Sequence, residues 1–520
     1  MKMSKRLTAA LCAAAALVLL LAGCGGSGGS QNGGQNGGPA AVKDSVTKRK
    51  LSDQTTFDPY KTSDQNMWED LYGIYDTLFR EDELGVFTPN LVTDYSFNED
   101  GTELTMSLVQ GVKFHNGETM TADDVVFSLN TAIASPFTSK FTNVMDHAEK
   151  VDDTTVKLVL KFAYGPILGC LVNATTSIVP QAAYEADPDS FATSPIGSGP
   201  YTLGEVVKGE KYVYTAFPDY FRGEAPIKTV VARVIPDGNA ALMALQSGEL
   251  DVIQPNQDYS DRAAIENDPN LEYYVAPQAC TFLIGFNNEK GIFADKRMRE
   301  AVALAVDKED IALGATNGYA QPTDVGITPI CPQVPTDFTG LERDVERAKQ
   351  LVAEAGYPDG VDVTMRVISA SNYTKPAEVV QDQLKEIGIN ITIEPMERAA
   401  WWDACYLGGD YTITIYANPV QVIDADFGAY PFLHSSEANG GNNFYNYKSA
   451  EMDKLLEDAR ISQNEAERKE LYTKVCEIIR DESIFVPMYT GERTYAGVKG
   501  LQGVKADPMV RYYTYRYSWS

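Results

Sequence analysis

From Val363 to Ile393 the sequence runs strand, helix, strand with almost nothing between. Val363 to Ile368 reads as a strand, Pro376 to Ile387 as a helix stopped by Gly388, and Ile389 to Ile393 as a second strand. Two strands joined by one helix lie parallel, and the crossover is right-handed. Elsewhere, too, strand-like and helix-like segments alternate without internal repeats, which predicts an α/β body. Helix starts are marked by side chains that accept from free backbone N–H groups. Thr121 caps a helix with Asp123 and Asp124 in its first turn, where the dipole favours anions, and with Val125, Val126 and Leu129 facing inward. Asp295 serves Lys296 to Val306, and Asp344 to Ala355 reads as an amphipathic helix stopped by Gly356. Two more helices, Ser449 to Arg460 and Asn464 to Arg480, place their charges opposite Leu455, Leu456, Leu471 and Ile478, which predicts solvated charged faces.

The first residues set the compartment. Lys2, Lys5 and Arg6 precede an apolar run from Leu7 to Ala22, broken only by Thr8 and Cys12, which is the pattern of a secretory signal. It ends in Leu21-Ala22-Gly23-Cys24, which resembles the lipobox of bacterial lipoproteins. That resemblance implies cleavage after residue 23 and acylation of Cys24, palmitate being one expected chain. A spanning anchor is the alternative, but the run is shorter than the ~20 apolar residues a span needs. Residues 25–39, rich in Gly, Ser and Asn, form a flexible tether, so 24–42 reads as a lipidated cysteine plus leash.

The 520 residues carry 44 Lys and Arg against 72 Asp and Glu, a net charge of −28. Such a surface repels phosphate backbones, so nucleic acid is excluded as a partner. The three histidines, His115, His147 and His434, are scattered and carry no zinc motif, so no metal and no cofactor is expected. Past Cys24 the cysteines are Cys170, Cys280, Cys331, Cys405 and Cys476. An odd number leaves at least one unpaired within the chain, and buried free thiols are favoured over a disulfide framework.

Leu108 to Leu129, L-V-Q-G-V-K-F-H-N-G-E-T-M-T-A-D-D-V-V-F-S-L, closely resembles the signature segment of the solute-binding proteins of ATP-driven peptide and nickel importers. Phe57-Asp58-Pro59, Tyr72 to Leu78, Gly197-Ser198-Gly199-Pro200-Tyr201, Ala240 to Ile253, Phe286-Asn287, Phe293 to Asp307 and Ala348 to Gly360 match in order, so the likeness spans the mature chain. Within these motifs Val112 to His115 reads as a strand and Asn116-Gly117 as a turn, with His115 a satisfied loop histidine rather than a ligand. Gly197 and Gly199 are expected to supply backbone freedom where the chain passes between domains. The resemblance implies an α/β, two-lobed fold of the periplasmic-binding-protein type (type II, large peptide-binding class) with an inserted subdomain. Expected boundaries are 43–84, 197–280 and 490–520 for lobe I, 85–196 for the insertion and 281–489 for lobe II. The crossings are expected near Gln278 to Leu283 and Val486 to Gly491, and a two-strand hinge permits closure over a ligand.

Similar peptide-binding members carry D-x-x-D/E-P after a lobe II strand, the first Asp pairing with the peptide ammonium. Here the strand Tyr411 to Tyr416 runs into Asn418 and then Gln421-Val422-Ile423-Asp424-Ala425-Asp426, so Gln421 stands where the acid is expected. A neutral amide is a weaker partner for an ammonium than a carboxylate. Asp424 or Asp426 can substitute, or can cap a helix. One of Trp401 and Trp402 is expected in the core and the other on the cleft wall, beside a helix starting at Glu397. Arg398 is a candidate for a ligand carboxylate, with a surface role as its alternative. Thr62, Ser63 and Gln65 are loop candidates from lobe I, their alternative being turn chemistry. Asn287, Tyr416, Asn418 and Tyr489 complete the set, Tyr489 for stacking at the second crossing.

The expected function is therefore that of a non-enzymatic, monomeric receptor. It is held by a lipid anchor on the outer face of a bacterial membrane, captures a small solute, most readily a short peptide, and delivers it to the permease subunits of an ABC importer. An oligosaccharide or a metal chelate in the same cleft is the alternative. A lipid-anchored secreted hydrolase is more remote, since no G-x-S-x-G, Cys/His pair or metal motif is present.

Overall fold

A computed structural model describes residues 43–256, 258–509 and 511–520. The signal segment, Cys24 and the tether lie outside the described residues. Two mixed sheets organise the body. The larger has seven strands in the order Leu271–Pro277, Glu492–Val498, Val252–Ile253, Ser45–Lys50, Thr229–Val234, Lys211–Ala216 and Tyr201–Val207. The second has six, in the order Gln321–Pro322, Phe485–Thr490, Cys280–Phe286, Ile413–Pro419, Val361–Ile368 and Ile389–Met396. Its last two strands are the parallel pair expected from the sequence, with Val361 opposite Ile389 and Ile368 opposite Met396. The crossover helix Ser371–Lys385 begins five residues before Pro376, which sits inside it. A proline at this place removes one i→i−4 hydrogen bond and crowds the preceding turn, yet Pro376 is buried and the helix starts a turn before it.

A four-stranded antiparallel sheet, Val92–Phe97, Glu103–Leu108, Thr155–Leu160 and Met145–Asp152, forms the centre of the inserted segment. Glu103–Leu108 and Thr155–Leu160 alternate buried and half-exposed residues, as a sheet with one covered face does. The covering helix is Ala122–Ala134, and Thr121 and Asp124 form a reciprocal capping box at its start. Val112 to His115 is not a full strand, since only Lys113 and Thr119 bridge across the turn at Gly117. His115 takes the Gly197 N–H on Nδ1 at 3.3 Å and places Nε2 2.9 Å from the Gly199 carbonyl. Burial lowers its pKa to about 4, so it is a neutral clamp on the Gly197–Gly199 turn. Neither glycine has a positive φ. A Cβ at Gly197 would stand 2.1 Å from the Ile74 carbonyl oxygen, and one at Gly199 2.6 Å from its carbon, so close backbone approach, not conformational freedom, requires them.

The chain leaves the seven-stranded sheet after Pro277 and enters the six-stranded one at Cys280, then returns between Thr490 and Glu492. The two connections are tied together, the Gln278 N–H donating to the Gly491 carbonyl at 2.9 Å. Tyr259 braces them, its hydroxyl donating to the Glu492 carbonyl at 3.0 Å and accepting the Glu492 N–H at 2.6 Å. The five cysteines of the body are buried free thiols. Among the described residues no helix is long and apolar enough to cross a membrane.

Candidate functional site

The face of the six-stranded lobe that meets the rest of the protein is built by the strand Ile413–Pro419, the loop 420–423 and the helix Ala425–Leu433. The strand starts two residues later than the sequence pattern suggests and runs to Pro419, which puts Asn418 inside it. Asp424 caps the helix, accepting the Asp426 N–H at 2.9 Å. Its two oxygens are gripped by Arg468, Nη2 to Oδ1 at 2.6 Å and Nη1 to Oδ2 at 2.8 Å, with both residues buried. Asp426 receives Arg460 at 3.1 Å on each oxygen and the Tyr164 hydroxyl at 2.7 Å. Burial works against both guanidinium charges, yet the facing carboxylates outweigh it and raise both pKa values. The carboxylates that the sequence offers for an ammonium are thus engaged by arginines of their own lobe.

Those arginines correct a further expectation. The helices Ala450–Ile461 and Glu465–Glu482 do not hold all their charges in solvent, because Arg460 and Arg468 turn inward. Arg468 stands four residues before buried Tyr472 and seven before Val475, so the helical period carries the signal.

Tyr164 belongs to the inserted segment, and its hydrogen bond to Asp426 therefore joins the two sides of the cleft. Beside it the Gly165 N–H donates to the Arg460 carbonyl at 2.9 Å, and Phe141 stacks on Phe427 at 5.8 Å. Nearer the hinge, Ser371 and Lys375 approach Asp258 at 3.4 and 3.8 Å. The described conformation is closed. Between its sides remains a narrow pocket, walled by Trp68, Tyr72, Phe87, Gln421, Val422 and Arg511 among others. Trp68 is 3% exposed, and its indole N–H has no acceptor among the described residues. Arg511 is fixed by Glu81 at 2.7 Å and by Asp507 at 3.1 Å. Burial opposes its charge, but Asp507, Tyr513 and Glu81 raise its pKa.

Tyr72, Glu81, Val172 and Arg511 also wall a second, somewhat larger pocket on the lobe I side. In its wall lies Asp76, accepting from Asn90 at 3.1 Å, Ser198 at 3.0 Å and Tyr220 at 3.2 Å. Burial outweighs these bonds and raises the Asp76 pKa from 3.8 to about 6. Ionised Asp76 is therefore costly in the folded protein. The unfolded chain loses this proton near pH 4, so the group lowers stability progressively as pH rises from about 4 to about 6 and no further above that. Asp76→Asn is expected to remove this decline. Urea midpoints at pH 4 and pH 7 should shift in the variant's favour at the higher pH, by on the order of 2 kcal/mol. An identical pH dependence in both proteins would show that Asp76 ionises without penalty.

Of the residues singled out in the sequence, Gln421 alone lines the cavity between the lobes. Gln65 reaches its far wall, donating to the Met509 carbonyl at 3.4 Å. Thr62 accepts the Asp64 N–H, and Ser63 is exposed beside it. Asn287 is buried and donates to the Gly409 carbonyl at 3.1 Å, while Asn418 donates to the Gly428 carbonyl at 3.1 Å. Trp401 is fully buried and stacks on Tyr416 at 5.6 Å, whereas Trp402 is 38% exposed and stacks on Tyr406 at 4.0 Å. Arg398 is exposed, 5.8 Å from the centre of the Tyr373 ring, and Tyr489 is stacked on Phe282 at 4.9 Å. Trp68 and Arg511 were not singled out. Trp68 is brought to Gln421 from more than 300 residues away in sequence, and Arg511 from 90. Among the described residues no group of three or more His, Cys, Asp or Glu could hold a metal ion.

The profile of the bacterial extracellular solute-binding proteins, family 5, middle section, matches residues 86–440. The oligopeptide-binding protein AppA of Bacillus subtilis is 26% identical over 504 residues, covering 90% of each chain. Heme-binding protein A of Haemophilus influenzae is 28% identical over 433 residues, covering 77% of this chain and 78% of the other. Among solved structures, the substrate-binding protein CtaP of Listeria monocytogenes superposes with a TM-score of 0.82 at 27% identity, over 92% of this chain and 99% of that one.

Proposed function

Because the chain belongs to family 5 of the bacterial extracellular solute-binding proteins, we propose that it captures a short peptide by hinge closure and passes it, unaltered, to the permease of an ABC importer. The observation that carries this reading is the gap left between two lobes joined by a pair of tied crossings, walled in part by Gln421 and by Trp68, whose indole N–H has no acceptor among the described residues. In this reading lobe I comprises 43–84, 197–280 and 490–520, the insertion 85–196 and lobe II 281–489. Extended ligand backbone would use such neutral donors and acceptors, and waters would adapt the remaining volume to different side chains. The likeness to an oligopeptide-binding protein supports a peptide. Lipidation of Cys24 would keep a monomeric receptor beside its importer on the outer face of the membrane, since acyl chains contribute roughly 0.8 kcal/mol per buried CH₂.

A second reading, capture of a metal chelate or an oligosaccharide, has two supports. One relative is named for heme, and the exposed Trp402 ring backed by Tyr406 is a flat stacking platform. Expression of residues 40–520 and mass spectrometry of whatever co-purifies separates the two. An intact peptide is expected. Saturation to a hundred times the dissociation constant should stabilise the protein by roughly 2.7 kcal/mol. Recovery of a chelate or glycan would replace the peptide, and recovery of a cleaved ligand would replace the receptor with an enzyme.

A further inference from the structure

The narrow pocket between the lobes has no carboxylate free to meet a cation. Among the described residues its wall holds two ionised side chains, Glu81 and Arg511, and they engage each other. Glu81 accepts from Arg511 and from the Gly85 N–H, both at 2.7 Å, while Arg511 donates to each oxygen of Asp507 at 3.1 Å. The acids that follow Gln421 in lobe II, Asp424 and Asp426, are gripped by Arg468 and Arg460. A cation entering here would have to draw a carboxylate away from a guanidinium that already holds it. The wall offers a neutral donor instead. Trp68, in the helix Gln65–Ile74, is 3% exposed, and its ring meets Phe141 edge-on at 5.5 Å. Its Nε1–H is buried and finds no acceptor among the described residues. A buried donor left without a partner costs about 1–3 kcal/mol, so this N–H favours an acceptor that arrives with the solute. Across the pocket, on lobe II, Gln421 carries an amide, which both donates and accepts. Phe87, Val172, Val422 and Met509 make the adjoining wall apolar.

From this arrangement we infer that the pocket is a subsite for an acylated nitrogen, and that the captured solute is a peptide whose amino end is blocked by an acyl group. The acyl carbonyl accepts from the Trp68 indole, the amide N–H beside it donates to the Gln421 side-chain oxygen, and the alkyl part of the acyl group rests against the apolar wall. A free ammonium suits the same place poorly. It has three donors and no acceptor, so it leaves the Trp68 N–H unmatched. It also surrenders its hydration where no free carboxylate replaces it, and desolvating an unpaired charge costs far more than desolvating an amide. Trp68 belongs to lobe I and Gln421 to lobe II, so both bonds form together only with the hinge closed. The acyl amide thereby favours closure itself.

This inference rests on the peptide reading and is tested apart from it. The mature chain is equilibrated with two synthetic pools of tri- to pentapeptides of Ala, Gly, Leu and Phe, one with free amino ends and one N-acetylated, and the retained peptides are quantified. The acetylated pool should be held about tenfold more tightly, a difference of ~1.4 kcal/mol. Trp68→Phe keeps an aromatic ring and removes the N–H, so the ratio should fall close to one while affinity for the free amines stays as it was. Gln421→Glu, at a half-buried loop position, supplies the missing carboxylate and should turn the preference towards free amines. It decides the matter alone if Trp68→Phe does not fold. Equal retention of the two pools or tighter retention of the free amines by the unaltered protein, an undiminished ratio in Trp68→Phe, or an unchanged ratio in Gln421→Glu overturns the subsite and leaves the receptor standing. Retention of neither pool overturns the subsite and the peptide reading together.

Discussion

Replacement of Arg468 by methionine is expected to destabilise the protein by about 3–5 kcal/mol, the cost of leaving a buried charge without its partner. Arg468 has no exposed surface, and Asp424, which it grips with two bonds, is 2% exposed. Without the guanidinium the Asp424 carboxylate must either stay charged in a poorly solvating place or take up a proton. Arg468 also donates from Nε to the Ala459 carbonyl at 3.0 Å, so the same change releases the end of a neighbouring helix. Removing both partners behaves differently. In Asp424→Asn/Arg468→Met no charge is stranded, and asparagine still caps the helix Ala425–Leu433, so most of the lost stability should return. Urea unfolding of the two single variants and the double one measures the coupling. A loss under about 1 kcal/mol in Arg468→Met would mean that water reaches Asp424.

That pair also marks the boundary of what the chain discloses unaided. Thr121, Asp295, Asp344, Ser449 and Asn464 each cap the helix that follows, because a cap is chosen by groups two or three residues away and is written locally. The parallel strands around Ser371–Lys385 are legible for the same reason. Arg468 sits in the run E-A-E-R-K-E, where nothing nearby says which charge turns inward, and its acid lies 44 residues back. Only the i, i+4, i+7, i+11 stripe it shares with Tyr472, Val475 and Ile479 betrays it. Of the two tryptophans, one was expected inside and one outside, but which is which depends on the turn at Glu397 and on the broadened helical turn Trp402–Leu407 that follows. Gln421 is legible as a departure from a motif. The four arginines in the wall of the lobe I pocket are not, because they come from three distant stretches, residues 80, 222 and 511–516, which only the tertiary fold assembles.

Leucine at Gly169 is expected to weaken solute binding by about a hundredfold while leaving each lobe folded. Gly169 lies in the one-turn helix Ile167–Cys170 without a positive φ, so a side chain strains no backbone there. Space is what is missing. A Cβ would stand 2.3 Å from Val422 Cγ1 across the cleft and 2.9 Å from Phe87 Cζ on its own side. Phe87 is only partly buried and can swing away, whereas Val422 is held in place by the loop that carries Gln421. Overpacking of this kind costs about 1–3 kcal/mol. Here it falls on the closed state alone, because opening the hinge separates the two residues. Apparent affinity falls with the population of the closed form, and ~2.7 kcal/mol is a hundredfold. Titration with the co-purified solute gives the affinity, and small-angle scattering with the solute present should show the variant remaining more extended than the unaltered protein. Val422→Gly in the same chain makes room for the new side chain and should recover both closure and binding. Wild-type affinity in Gly169→Leu would show that the solute is held without this contact. Failure of Val422→Gly to rescue would place the clash at Phe87, within one lobe, and separate it from hinge closure.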